Sequence, residues 1–381
     1  MSEVTTIPEQ ELSVLDKTHR ALGATMGDRD GYVVPLSYGD VDREYAAVRT
    51  RGAGLIDLSS RARINVSGSE AVQFLNGLIT NDVKTLEVET WMPAAFPNVQ
   101  GRLLANVRVL HHTDGFLFDT EPATGAVVLK TLERFTHAGD FRVTLLTDQV
   151  AAISVQGARA AEIVEHVLGS ESASVTSTRL VETKRNGHIV SVIRATHTAE
   201  DGFDLFIASP AANSLWDELS QAGAEPIGFE ALEILRIEAG LPLYGVDVDV
   251  TNVVLEARLD EAVSFTKGCY IGQEIIARIH WRGHVAKCIA GVVLDGKGII
   301  RRDDKVHAIE GKEIGRISST CFSPHLQSGI ALGMIKYDYL APGTPVVVVS
   351  DGAQHAGRIV ELPFVRGSWN DVSSAESVKD A

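Results

Sequence analysis

Only three cysteines, Cys269, Cys288 and Cys321, stand in the 381 residues, an odd number at wide spacing. That excludes a disulfide framework in a reducing compartment, and without a CxxC or Cys/His cluster no resident zinc or iron–sulfur centre is expected. Long apolar runs are missing too: none approaches the roughly 20 residues that a spanning helix needs. Met1 to Gln10 carries Glu3 and Glu9 and has no apolar core, so no secretory leader is expected and the compartment is expected to be cytoplasmic. Positive charge is scarce, with 35 Lys and Arg against 50 Asp and Glu, a net charge of −15. A surface of that sign disfavours nucleic-acid and anionic-membrane partners, though a local basic patch could still hold an anionic ligand.

What is present is an ordinary globular composition, 45% hydrophobic and 22% charged, in a chain long enough for two or three domains. A polar helix is expected from Glu9 to Leu22, followed by a loop from Gly23 to Gly31. Arg61 to Val66 reads as a strand, and Ser69 is placed to cap a helix over Glu70 to Leu78. Gly101 to His112 and Phe116 to Thr120 read as a hairpin around Thr113-Asp114-Gly115. A helix from Thr124 to His137 follows. The next unit repeats this alternation: strand Val150 to Val155, a helix to Leu168, strands His188 to Arg194 and Phe203 to Ala208, and a helix over Ala211 to Ala222. The β-α-β-β-α order in both units predicts ferredoxin-like α+β modules. Beyond a helix at Phe229 to Ala239, short β-rich runs from about Val285 onward predict a small barrel or sandwich.

One segment concentrates chemistry: Lys267-Gly268-Cys269-Tyr270-Ile271-Gly272-Gln273-Glu274. Two glycines let the chain bend on both sides of a lone thiol, and a neighbouring ammonium favours the thiolate, the reactive form. From the residues alone this is either a structural cysteine in a turn or an activated thiol. His280 and His284 have the i, i+4 spacing that zinc ligands can use on a helix, but Trp281-Arg282-Gly283 between them reads as a turn or strand.

Three stretches belong with this segment: Thr198 to Leu205 (THTAEDGFDL from Thr196), Gly228 to Gly245 (GFEALEILRIEAGLPLYG), and the run on through Ala277-Arg278 to Gly283. Together they resemble the superfamily of glycine-cleavage T-proteins, tetrahydrofolate aminomethyltransferases, and the related folate-binding YgfZ proteins. KGCYIGQE is similar to the YgfZ signature. The resemblance implies an α+β, three-domain ring with two ferredoxin-like modules and a C-terminal β-barrel. The expected division is an extension at 1–30, a folate-binding domain at 31–150 plus 241–284, a second α+β domain at 151–240, a barrel at 285–365 and a disordered tail at 366–381.

The resemblance also implies tetrahydrofolate, or a one-carbon derivative, as ligand. It implies a role in iron–sulfur cluster assembly or repair through Cys269, activated by Lys267 and nearby Arg278, with iron–sulfur client or assembly proteins as partners. Glu200 matches the residue expected to read the pterin edge, which a carboxylate can do bidentately; its other reading is a turn glutamate. Asn106 takes the place of the superfamily's aspartate near the reacting nitrogen, and an amide carries no negative charge there. Arg236 would contact folate or pair with Glu238, and Tyr244 follows it beyond the turn. Two alternatives accompany this reading: a tetrahydrofolate-dependent aminomethyltransferase and a non-catalytic folate-binding scaffold.

Overall fold

The computed structural model describes residues 11–50, 52–296 and 298–370. Two sheets and a barrel form its frame. The five-stranded sheet runs Thr90–Pro97, Leu103–His112, Gly115–Thr120, Ala62–Ser67, Arg142–Leu145. The six-stranded sheet runs Leu180–Arg185, His188–Arg194, Gly202–Ala208, Val150–Gln156, Gly54–Asp57, Glu225–Pro226. Gly54–Asp57 precedes the first sheet in sequence yet pairs antiparallel with Val150–Gln156 in the other. The six strands from Lys287–Leu294 to Ala353–Val360 close into a barrel. The fold is therefore the expected α+β arrangement with a C-terminal β-barrel.

Strand alternation decides where charge can go. In Leu103–His112, Ala105, Val107 and Val109 face the helices Ala71–Leu78 and Pro122–Glu133 and join one core. The alternate residues Asn106, Arg108 and Leu110 face the opposite way. In Gly202–Ala208, Phe203, Leu205 and Ile207 join a second core around Trp216, leaving Asp204 and Phe206 on the other face. Leu110, Leu117, Ile56, Ala152 and Phe206 form a third cluster in which strands of both sheets meet. The polar residues on these inner faces lie between the sheets, and the site is built there.

Three local expectations change. Residues 23–31 are not a loop: Thr25–Arg29 pairs with Tyr32–Ser37. Asp30 and Gly31 both have positive φ, 53° and 88°, as a two-residue turn between strands requires. The Glu9 to Leu22 helix shrinks to Asp16–Ala21, with a bridge of Glu11–Leu12 onto the hairpin; Glu9 lies outside the described residues. Ser69 does not cap: Glu70 is the N-cap residue, and the Ser69 hydroxyl donates to Asp140 at 3.0 Å. Of the tail, 371–381 lie outside the described residues.

Candidate active site

A chain of alternating charges crosses from one sheet to the other. Arg61 Nε donates to Asp119 Oδ2 at 2.9 Å, and Arg108 Nε donates to the same oxygen at 2.9 Å. Arg108 Nη1 also donates to Asp204, which His197 Nε2 meets at 2.9 Å. Arg61 reaches Glu121 as well. Asp119 and Asp204 are fully buried. Burial disfavours their charge, but Arg108 and Arg61 outweigh it at Asp119, and His197 and Arg108 outweigh it at Asp204. Both carboxyls therefore stay below the ordinary range and remain ionised. Buried charges of this kind persist only when paired.

The chain ends at a cavity of about 100 Å³, lined by Arg61, Glu121 and His197 with Phe229, Leu232 and the Leu241–Leu243 turn. Asn106, two residues before Arg108 on the same strand face, has a buried Oδ1 with no hydrogen-bond partner. A buried acceptor left empty costs about 1–3 kcal/mol, so this oxygen suits an incoming N–H donor. Asn106 is not itself among the residues that line the cavity; the lining brings arginines and carboxylates, Arg61 and Arg236 with Glu121 and Glu233, of the kind that meet the tail carboxylates and pterin N–H donors of a folate.

The sequence-selected residues divide. Glu200 is committed elsewhere: its carboxylate accepts from Arg49 at 2.8 Å and from the Ser368 amide and hydroxyl at 2.9 and 2.7 Å. The carboxylate of that motif that joins the ionic chain is Asp204, four residues on, buried behind the cavity-lining His197. Arg236 lines the cavity yet is held by Glu233, by Asp247 at 2.9 Å and by Ser319 at 2.7 Å, not by Glu238. Glu238 pairs with Arg49 at 2.9 Å instead. Tyr244 donates to the Leu103 carbonyl at 3.4 Å and fixes the turn against the Asn106 strand.

The octapeptide is a loop that docks on this strand's entry and runs at Gln273 into a helix. Gly272 has φ +80°, and a Cβ there would meet the Asn98 carbonyl at 2.4 Å, so only glycine fits. Cys269 is exposed. Lys267 turns inward, donating to the carbonyls of Ile79, at 3.0 Å, and Asn81. Its ammonium is used as a structural clamp. Arg278 pairs with Glu274 on the helix surface at 2.8 Å. Trp281 lies in the helix Gln273–Arg282, not in a turn or strand. His280 stacks on Phe265 and His284 on Tyr337. Among the described residues no group of His, Cys, Asp or Glu is disposed to hold a metal ion, and no helix is long and apolar enough to cross a membrane.

Sequence reasoning missed Arg61, Arg108, Asp119, His197 and Asp204. Each charged strand residue alternates with apolar neighbours, which is also the pattern of a strand with one solvated face. Only the second sheet lying over that face makes them buried.

Residues 15–267 match the GCVT N-terminal domain, and residues 287–366 match the glycine cleavage T-protein C-terminal barrel domain. An aminomethyltransferase of Rubrobacter xylanophilus is 33% identical over 364 residues, covering 95% of this chain and 96% of the relative. One from Chlorobium phaeovibrioides is 31% identical, covering 92% and 98%. The crystal structure of glycine cleavage system aminomethyltransferase T from Bartonella henselae superposes with a TM-score of 0.86 at 24% identity, covering 93% and 98%. These relatives overturn the expected iron–sulfur assembly role: they carry the aminomethyltransferase name over nearly the whole length of this chain. With both domain models matched in order and full-length relatives above 30% identity, the chain belongs to the glycine cleavage T-protein family.

Proposed function

We propose that the chain is a tetrahydrofolate-dependent aminomethyltransferase. The observation that carries this reading within the chain is the unpartnered, buried Asn106 Oδ1 beside the Arg108–Asp204 ion pair. Full-length similarity to aminomethyltransferases supports it from outside.

Tetrahydrofolate would supply the two nitrogens that take a methylene carbon from an aminomethyl thioether, with release of the thiol and of ammonia. The chain's own groups do the rest. Asn106 Oδ1 accepts an N–H hydrogen of the bound ligand and fixes its distance from the reacting carbon. Asp204, kept ionised by His197 and Arg108, gives the inter-sheet space a fixed negative pole that stabilises developing positive charge on the migrating carbon. His197, on the cavity wall, has its Nε2 2.9 Å from Asp204 and stands within hydrogen-bond reach of both that carboxylate and a bound ligand. The apolar wall of Phe229, Leu232 and Leu241 excludes water. An amide at position 106 is a weaker acceptor than a carboxylate, so the reaction is expected to run below the rate of the Asn106→Asp variant.

The test is formation of methylenetetrahydrofolate from an aminomethyl-dihydrolipoyl donor by the purified protein. Folded protein that binds tetrahydrofolate yet forms no product excludes the reaction.

A further inference from the structure

One arginine of the cavity wall has no carboxylate within ion-pair distance among the described residues. Arg61 is held by Asp119 and Glu121, and Arg236 by Glu233 and Asp247. Arg29 also lines the cavity, but among the described residues no carboxylate lies within ion-pair distance of it. Its guanidinium sits 4.3 Å above the Phe229 ring. Glu121 and Glu233 act on it only from farther away, and burial pushes its pKa down. Cation–π contact leaves the guanidinium edge, with its five N–H donors, free to bind something else.

The hairpin places Arg29 there deliberately. Its turn at Asp30-Gly31 follows directly, so the side chain is fixed at the last rung of a two-stranded ladder. A guanidinium resting 4.3 Å from an aromatic ring centre has lost part of its rotamer freedom before a ligand arrives, which lowers the entropic cost of binding.

We propose that Arg29 binds a carboxylate of the folate's glutamyl tail and selects carboxylate-bearing folates over bare tetrahydropterins. This rests on the reading of the cavity as a folate site, not on the transfer reaction. Guanidinium and carboxylate match as a bidentate pair, and Arg29 is the cavity arginine with both edges unspent. Arg61 and Arg236 would have to break existing ion pairs to do the same.

Calorimetry on the full chain tests the assignment with two ligands, tetrahydrofolate and 6-methyltetrahydropterin, which has no tail. Arg29→Gln is expected to weaken tetrahydrofolate binding roughly 10- to 100-fold, leave the tetrahydropterin unchanged and keep the wild-type melting profile; Arg29→Lys should recover part of the loss. Equal loss for both ligands, or no loss for either, overturns the proposal. Should Arg29→Gln not fold, the wild type with tetrahydrofolate whose tail carboxylates are converted to amides gives the same reading: a tenfold or larger loss supports it, and unchanged affinity overturns it. Wild type that discriminates the two ligands but forms no methylene product retains this inference and excludes the reaction. Intact transfer without discrimination does the reverse.

Discussion

Glu200 and Ser368, 168 positions apart, are joined twice, through the serine amide and its hydroxyl, both on Glu200 Oε2. The other oxygen receives Arg49. Nearby, Trp369 N donates to the Ala199 carbonyl at 3.1 Å and the Asp201 amide donates to Ser368 at 2.9 Å. The motif turn therefore anchors the segment after the barrel onto the six-stranded sheet. Charge-assisted, buried bonds of this kind contribute more than surface pairs do.

Glu200→Gln is thus expected to lower unfolding free energy by about 1–3 kcal/mol, with Ser368→Ala following in the same direction. Tetrahydrofolate affinity of the folded Glu200→Gln protein should remain within a few-fold of wild type. Denaturant melts and calorimetry on one preparation measure both.

Asp204 has the opposite profile. Asparagine there leaves Arg108 and His197 facing an amide in a site closed to water. Removing one partner of a buried pair costs about 3–5 kcal/mol. Asp204→Asn should therefore destabilise the fold strongly and also abolish detectable transfer. The double variant with Arg108→Met should be less destabilised than the sum of the singles, which a double-mutant cycle in urea reads directly.

Lys267 gives a pH signature. Burial lowers its pKa from 10.5 to about 8. Between those values the unfolded chain carries the proton and the folded chain does not, so the unfolded state binds more protons and stability rises with pH. The gain is complete above pH 10.5 and absent below about 8. Wild type should gain a few kcal/mol over Lys267→Met across that window, measured as the difference in urea midpoints; parallel pH profiles would show that the ammonium is not buried in solution.

Gly272→Ala tests how the octapeptide is seated. The added Cβ strikes the Asn98 carbonyl, and the φ of +80° is one that L side chains rarely adopt. A loss of more than about 1 kcal/mol is expected, with transfer lowered further than stability, because the same turn starts the Asn106 strand. A variant of wild-type stability and rate would show that the loop does not brace that strand.

The α+β class, the barrel and the motif segments were legible because they follow local rules: alternation in Val150–Gln156, helical spacing in Phe229–Glu238, close glycine placement around Cys269. Asp30-Gly31 is a dipeptide of the hairpin-turn type, and it joins two strands where a loop is expected. The ionic chain was not legible. Asp204 between Phe203 and Leu205 is indistinguishable from a strand's wet face until another sheet, carrying Arg108, covers it. Glu200 and Asp204 sit in the same short motif, and only tertiary contacts tell the anchor from the carboxylate of the ionic chain. Lys267 lies two residues from Cys269, yet its side chain is drawn inward by two carbonyls that sequence distance does not reveal.

In the proposed function, the inter-sheet face around Asn106 aligns a folate for aminomethyl transfer. The most direct measurement is the single-turnover rate of methylenetetrahydrofolate formation from an aminomethyl-dihydrolipoyl donor, compared across wild type, Asn106→Ala and Asn106→Asp. The account predicts product from wild type, a loss of roughly 10- to 100-fold in Asn106→Ala and a faster rate in Asn106→Asp. Equal rates in all three, or no product from any folded protein with tetrahydrofolate bound, would contradict it.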